Sequence, residues 1–507
     1  MKRIPIVLLS ALLSACATTP PVAPEPPAPA PMDFVLRTQP VFEALRGPGC
    51  REHLAQAAEI AAMPEFETAQ SRDDQVVFLW QIAVCAVDNK LYELAFRNVD
   101  RVAGLAPQAP WPQMVRMHLG VDFDKPEASL DALHALAGIA PEVVREIELR
   151  FLSRLLDAAE DADETGDRKL ALYEALVRAG YVPAPPYFDD YLQMGHGRLL
   201  LERGRVDEAR VRLATVIDVK SLVSMRIERL FDPLRGDLEF EARLELVAAA
   251  GRDVARSRAA MDANPAVMEG VYLHALALDV ANRDDEALAI LDATLARYAA
   301  DPAAFTDAEE FRNWLMDRRG ALLYGVGRFD EGRAALRESA LLPERGDANV
   351  SNMINLASYV ISESKAAEAL ELLQQVGKPS PYGRSWIESI RSCAGMLLGD
   401  EKLRLEGLDY LKAHESDNPS ALSHALLCSN DIDGAAAWMI RRLVDPEMRR
   451  NALLALQTTP ASRSDELSLR RILRERLALV HARDDVRAAA EAVGRIEVLP
   501  VDVNRSY

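Results

Sequence analysis

Aromatic residues, lysine and long hydrophobic runs are all scarce in this sequence. Only 6% of its 507 residues are aromatic, and nine of its 59 basic residues are lysine. After Leu13, no apolar run approaches the ~20 residues that a transmembrane helix needs. The formal net charge of −19 argues against nonspecific binding to nucleic acid or to an anionic membrane, because both require a positive protein surface.

The overall composition predicts a folded, all-α protein. With 49% hydrophobic and 27% charged residues, the chain is not generally disordered. Its length allows about three globular domains or one long repetitive body. Alanine and leucine are abundant while glycine is limited to 25 residues, and this balance favours helices throughout.

The first 15 residues have the pattern of a secretion signal. Lys2 and Arg3 precede a short apolar run that ends at Leu13, and Leu13-Ser14-Ala15-Cys16 follows. This last motif resembles the lipobox of bacterial lipoproteins. The resemblance implies that Cys16 is acylated, palmitate included, and that the chain is cleaved just before it. The alternative is an ordinary cleaved signal with an incidental cysteine. Loss of residues 1–15 changes the net charge from −19 to −21.

A proline-rich stretch follows the predicted lipidation site. Residues 17–33 contain seven prolines, which favour extended polyproline II rather than a packed core. We predict that residues 16–33 form a tether reaching up to ~50 Å from the lipid, at ~3.1 Å per residue. A proline-rich docking motif is the alternative. In Gram-negative lipoproteins, a residue other than Asp after the cysteine (here Ala17) implies transfer to the outer membrane, with the bulk of the chain facing the periplasm.

A turn pattern recurs along the rest of the chain. Each copy has a glycine or polar residue, a charged stretch and then a small residue that opens an apolar helix. The copies begin, from the clearest to the faintest, at Gly166, Gly204, Asn282, Gly327, Ser364, Gly251 and Asn89. The small residues recur about every 40 positions between Ala171 and Ala369, a period typical of helix-pair solenoids. We therefore predict one helical array over residues 34–460.

Small residues twelve positions apart point to a repeat family. The three pairs are Gly197 and Ala209, Gly320 and Gly332, and Ala357 and Ala369. This pattern resembles tetratricopeptide repeats (TPRs), in which small residues let the two helices of a hairpin approach closely. The resemblance implies an α-solenoid of helix-turn-helix repeats. Because most spacings exceed the 34 residues of that family, the repeat count and any peptide groove stay open, and an irregular helical bundle is the alternative.

Four cysteines remain besides Cys16, and they form two pairs with equal spacing. Cys50 and Cys85 are 35 residues apart, as are Cys393 and Cys428. In an oxidising compartment both pairs are candidates for disulfides. Four buried free thiols are the alternative. No pair has the short ligand spacing of a zinc site, so we expect no metal.

Catalytic motifs are missing from the sequence. The eight histidines include no His-Glu-x-x-His pair, and no Gly-x-Ser-x-Gly elbow or phosphate-binding loop is present. We therefore expect a protein without a cofactor that is not an enzyme, although an active site assembled from distant helices stays an open alternative.

One segment near the C-terminus departs from the acidic balance of the chain. Nine arginines and five acidic residues lie between Met439 and Arg476. We predict that residues 461–507 form capping helices and an extended tail. One helix would carry a possible docking face for an acidic partner or an anionic polymer, consisting of Arg470, Arg471, Arg474 and Arg476. The solvated side of a capping helix is the alternative, and it is the one that the pattern favours.

These features together predict a lipid-anchored periplasmic scaffold that binds other proteins. Solenoids provide long binding surfaces without catalytic groups. The expected role is an interaction scaffold or assembly adaptor in the cell envelope, with contact to the bilayer only through acylated Cys16. The alternative is direct binding of peptidoglycan or another envelope polymer through the arginine-rich C-terminal helices.

Overall fold

The computed structural model describes residues 32–47, 49–161, 166–183, 187–344 and 348–503. Every regular element in these ranges is a helix, which confirms the predicted all-α class of helix-turn-helix repeats. The predicted signal peptide, Cys16 and the tether as far as residue 31 lie outside the described residues. The chain divides into two compact units, Met1–Leu199 and Leu200–Tyr507. The second unit therefore includes both the last repeats and the C-terminal helices.

Helices of the first unit run from the end of the predicted tether to the boundary between the units. They are α1 (Met32–Leu45), α2 (Cys50–Ala62), α3 (Pro64–Ala69), α4 (Arg72–Asp88), α5 (Tyr92–Leu105), α6 (Pro110–Asp122), α7 (Pro126–Ile139), α8 (Pro141–Arg145), α9 (Leu149–Asp161), α10 (Asp167–Ala179) and α11 (Tyr187–Glu202), within which the boundary falls.

Helices of the second unit begin with α12 (Val206–Leu213), α13 (Val219–Ile227), α14 (Leu238–Arg243) and α15 (Leu246–Ala263). Five successive hairpins follow: α16 (Met268–Val280) with α17 (Asp284–Ala300), α18 (Ala308–Gly325) with α19 (Phe329–Ala340), α20 (Ser351–Ser362) with α21 (Ala366–Leu373), α22 (Pro381–Leu398) with α23 (Glu401–Ala413), and α24 (Pro419–Cys428) with α25 (Ile432–Val444). The last helices are α26 (Pro446–Ala455), α27 (Ser468–His481) and α28 (Asp484–Val493).

The predicted turn pattern corresponds to a recurring left-handed backbone conformation. Residues at five predicted turns have φ between 57° and 85°, namely Gly166, Gly204, Asn282, Gly327 and Ser364. At the turn between α18 and α19, the Arg328 N–H donates to the Leu323 carbonyl over 2.8 Å. This bond satisfies a carbonyl at the helix end, as in a Schellman motif. The pattern thus ends one helix and sets the direction of the next.

One faint copy of the pattern is wrong, and three turns were missed. Gly251 lies inside α15, where it continues the helix rather than ending it. Left-handed residues also occur between paired helices at Asp124, Gly399 and Asn430, which the pattern did not single out.

Close helix approach explains the paired small residues. A Cβ added to Gly320 in α18 would lie 2.6 Å from Leu336 Cγ and 3.0 Å from the Gly332 carbonyl oxygen in α19. A Cβ on Gly332 would meet the Tyr324 ring at 2.6 Å. Larger side chains would force the two helices apart, so these glycines set the spacing of the hairpin.

Candidate functional site

Disulfides lie in both units. Cys50 at the start of α2 is bonded to Cys85 in α4, with Cα atoms 6.0 Å apart. Cys393 in α22 is bonded to Cys428 at the end of α24, with Cα atoms 5.1 Å apart. The first bond lies in the N-terminal helices of unit one, and the second joins neighbouring hairpins of unit two.

Residues 446–503, here called the C-terminal segment, return along the five hairpins of the second unit. They contact the first helix of every one of these hairpins near its carboxyl end. For α16 and α18, the Asp502 N–H donates to the Val280 carbonyl and Ser462 Oγ donates to the Gly325 carbonyl. For α20, the Arg470 guanidinium lies over the Tyr359 ring. For α22 and α24, Arg476 contacts Met396 Sδ and donates to the Leu427 carbonyl. This edge of the repeats is therefore covered by the chain itself.

The extended tail packs against the beginning of the second unit. The Arg495 N–H donates to the Ile227 carbonyl over 2.8 Å, and Arg226 Nε lies 2.6 Å from Glu497 Oε2. The side chains of Leu499, Val501 and Val503 are buried. The tail is extended, and its apolar residues contribute to the core.

Two of the four predicted docking arginines, Arg470 and Arg476, make contacts within the protein. The Arg470 guanidinium lies 5.1 Å from the centre of the Tyr359 ring and donates to Ser464 Oγ. Arg476 Nη1 donates to the carbonyls of Leu427 and Cys428 over 2.6 and 3.0 Å. These carbonyls are at the end of α24, where the regular helical hydrogen bonds stop, although the Asn430 N–H also donates to the Leu427 carbonyl. Arg476 therefore secures α27 to α24.

The other two arginines face solvent. Arg471 is exposed, and Arg474 is exposed while lying 3.3 Å from Asp465 Oδ2. The predicted docking face is thus reduced to these two side chains, one of which is already paired with an acid.

Buried charged residues were missed by the sequence analysis. Arg318 and Arg442 are 8% and 2% exposed, respectively. Arg318 Nη1 pairs with Asp279 Oδ2 at 3.0 Å, whereas Arg442 Nη1 donates to the neutral Ser423 hydroxyl. Burial lowers the pKa of Arg442 to about 10. Arg318 follows Leu315 by three positions on a helix, so its place on the apolar stripe was the available signal.

Metal and membrane features are absent from the part of the chain that the structure describes. In these ranges, no three His, Cys, Asp or Glu side chains are placed to hold a metal ion. No helix there has both the length and the apolar character to cross a bilayer. His274 is buried, and its Nδ1 lies 2.9 Å from Ser257 Oγ. Its recorded partner is thus a hydroxyl group, and among the described residues it belongs to no group of three placed to hold a metal ion.

Comparisons with known proteins give no family for this chain. No family model matches it, and no curated protein does. Among solved structures, it is similar to a chain of "Structure of Naa15/Naa10 bound to HypK-THB", with 14% identity, 91% of this chain and 75% of the other covered, and a TM-score of 0.23. It is also similar to a circular tandem repeat protein with a novel repeat topology, with 15% identity and a TM-score of 0.14. That match covers 90% of this chain and 97% of the other. These TM-scores are too low to assign the fold of either protein to this chain.

Proposed function

We propose that this protein is a lipid-anchored scaffold on the periplasmic side of the outer membrane, where it binds other envelope proteins without catalysing a reaction. The observation that carries the proposal is the presence of two disulfides, because such bonds persist in oxidising compartments. The signal-like residues 1–15 and the lipobox at Cys16 agree with export. The repeated hairpins supply extended surfaces for partners.

The C-terminal segment limits where a partner binds on the second unit. It already contacts all five first helices near their carboxyl ends. A partner on that edge would have to displace buried apolar residues as well as ion pairs such as Arg226–Glu497. We therefore place partner binding on surfaces that this segment leaves open.

Fractionation of cells tests the anchor. We expect the unaltered protein in the outer-membrane fraction, with a mass increase from acyl chains, and Cys16→Ala in soluble periplasm. Ala17→Asp is the matched control, because it keeps the acylated cysteine and should retain the protein at the inner membrane. Identical fractionation of the unaltered chain and Cys16→Ala would contradict the anchor.

Site-specific photo-crosslinking tests the scaffold. A photoreactive residue is placed at the exposed positions Tyr191 and Tyr382, one in each unit, and at buried Tyr324 as the control. We expect discrete adducts with other envelope proteins from at least one exposed position and none from Tyr324. Absence of such adducts from every exposed position scanned would overturn the proposal.

Binding to cell-wall glycan is a second candidate that rests on the exposed arginines. Arg471 and Arg474 remain accessible on α27. If they hold an anionic polymer, Arg471→Ala with Arg474→Ala should abolish sedimentation with purified sacculi while leaving the fold intact. Unchanged sedimentation would remove this candidate.

A further inference from the structure

A polar cavity of about 110 Å³, partly open to solvent, lies in the second unit between the hairpins and the C-terminal segment. Helices α16, α18 and α20 form one side, and residues from Thr459 to Arg470 together with Asp502 form the other. This volume has room for several water molecules or for a small molecule with a few heavy atoms.

Arg318 brings an unused donor to this cavity. Its side chain is 9% exposed and its Nη1 pairs with Asp279. Its Nε is buried without a hydrogen-bond partner, and its Nη2 makes no hydrogen bond to another described residue. A buried guanidinium N–H without an acceptor is costly, because it has lost its water and gained no partner. An acceptor bound in the cavity would supply a partner for Nη2.

Two further donors line the same space. The Tyr359 ring contacts Tyr324 and Arg470, but its hydroxyl makes no hydrogen bond to another described residue. Arg470 uses Nη1 for Ser464 Oγ, and its other nitrogens have no hydrogen-bond partner among the described residues. Arg318 and Tyr359 come from the hairpins, whereas Arg470 comes from the C-terminal segment.

Three aspartates in the wall determine the charge that the cavity accepts. Asp279 is paired with Arg318, Asp465 accepts from the Ser462 N–H and pairs with Arg474, and Asp502 also has a partner within the protein. Their presence opposes a divalent anion such as phosphate. The unused groups are N–H and O–H donors, two of them on guanidinium groups. A guanidinium group matches the oxygens of a carboxylate as well as those of a phosphate, so the aspartates favour the ligand of lower charge.

We propose that this cavity binds a small monovalent carboxylate, held by Arg318, Tyr359 and Arg470. The carboxylate oxygens accept hydrogen bonds from both sides of the cavity. Binding therefore ties the C-terminal segment to α18 and α20 and stabilises the folded second unit by mass action. This site is independent of the proposed scaffold function.

Titration calorimetry on the purified full chain tests the site directly. Acetate, lactate and glycine are the carboxylate probes, and acetamide and inorganic phosphate are the controls. We expect saturable binding of at least one carboxylate at millimolar concentration or below and none of acetamide. Preference for glycine over acetate would identify an amino acid as the natural source of the carboxylate. No saturable carboxylate binding up to 10 mM, or equal binding of acetamide, would overturn the proposal.

Two conservative variants locate the binding. Tyr359→Phe removes the hydroxyl and keeps the ring contacts, while Arg470→Gln removes the charge at the other side of the cavity. We expect each to weaken binding about tenfold or more, while exposed Arg471→Ala leaves the affinity unchanged. In the unaltered protein, the midpoint temperature of thermal unfolding should rise by about 5 °C when the ligand concentration is a hundred times Kd. Unchanged affinity in both folded cavity variants would refute the assignment of the site.

Discussion

At the scale of single residues, the arginines of α27 differ in what their removal would cost. We expect Arg476→Ala to destabilise the protein by about 1–3 kcal/mol, because it removes hydrogen bonds from a charged donor to the Leu427 and Cys428 carbonyls. Arg471→Ala is the matched control on the same helix and should stay within about 0.5 kcal/mol of the parent. Urea unfolding measures both, and equal losses in the two variants would contradict the inward role of Arg476.

Titration of the buried His274 should make the stability of the protein depend on pH. Burial lowers its pKa below 6.5, and the guanidinium groups of Arg258 and Arg283 act in the same direction. The native state therefore favours the neutral ring, whereas the unfolded chain protonates it near pH 6.5. Its contribution to stability is thus fully present above pH 6.5 and is lost as the pH falls below that value.

A variant at this position tests the sign of the effect. His274→Gln keeps a polar side chain beside Ser257 but does not titrate. We expect the melting temperature of the unaltered protein to fall more steeply than that of the variant between pH 6.5 and pH 5. The measurement is thermal unfolding in buffers of constant ionic strength, and parallel curves would show that His274 does not contribute.

At the scale of elements, the left-handed turns make two opposite predictions. Gly327→Ala should destabilise by about 1–2 kcal/mol, because an L side chain is disfavoured at φ 85°. Ser364→Gly, at the equivalent position of the next hairpin with φ 64°, should instead stabilise by about 0.5 kcal/mol by relieving the same strain. Chemical denaturation of both variants checks the pair, and changes of the same sign would refute a common turn geometry.

The same turns show how far the sequence predicts the fold. Gly327 and Asn282 could be located because a charged stretch and a small buried residue follow each of them. Gly251 has similar neighbours, but the chain continues as a helix there, because a glycine inside a helix costs only about 1 kcal/mol relative to alanine and does not by itself end it. Asn430 was overlooked, although acidic residues and then the small residues Gly434 and Ala435 follow it as in the other copies. Local patterns therefore locate most of these turns, but a similar pattern also occurs inside a helix.

At the scale of the whole molecule, the candidate site depends on contacts that no local pattern contains. Arg226 and Glu497 pair across 271 positions of sequence, and Ser462 reaches Gly325 across 137. The sequence of α27 shows where its arginines are. Which of them face inward is decided only when the C-terminal segment packs against the hairpins. The cavity has the same origin, since Arg318 and Arg470 belong to elements that meet only in the folded unit.

The position of one disulfide in each compact unit leads to a prediction about the stability of the two units. Each unit contains one bond, and each bond closes a 35-residue separation. Closing such a loop is worth about 3–4 kcal/mol in the chain-entropy model. We expect Cys50→Ser with Cys85→Ser to lower only the stability of the first unit, and Cys393→Ser with Cys428→Ser only that of the second.

Hydrogen exchange with mass spectrometry can assign each loss to a unit, because peptides from α4 and α22 report on different units. Under mild denaturant, removal of the first bond should accelerate exchange in α4 and leave α22 unchanged, and removal of the second should do the reverse. Reduction of the unaltered protein should produce both effects together. Acceleration of both peptides by either pair of substitutions would show that the units unfold as one cooperative body, so that each bond stabilises the whole chain.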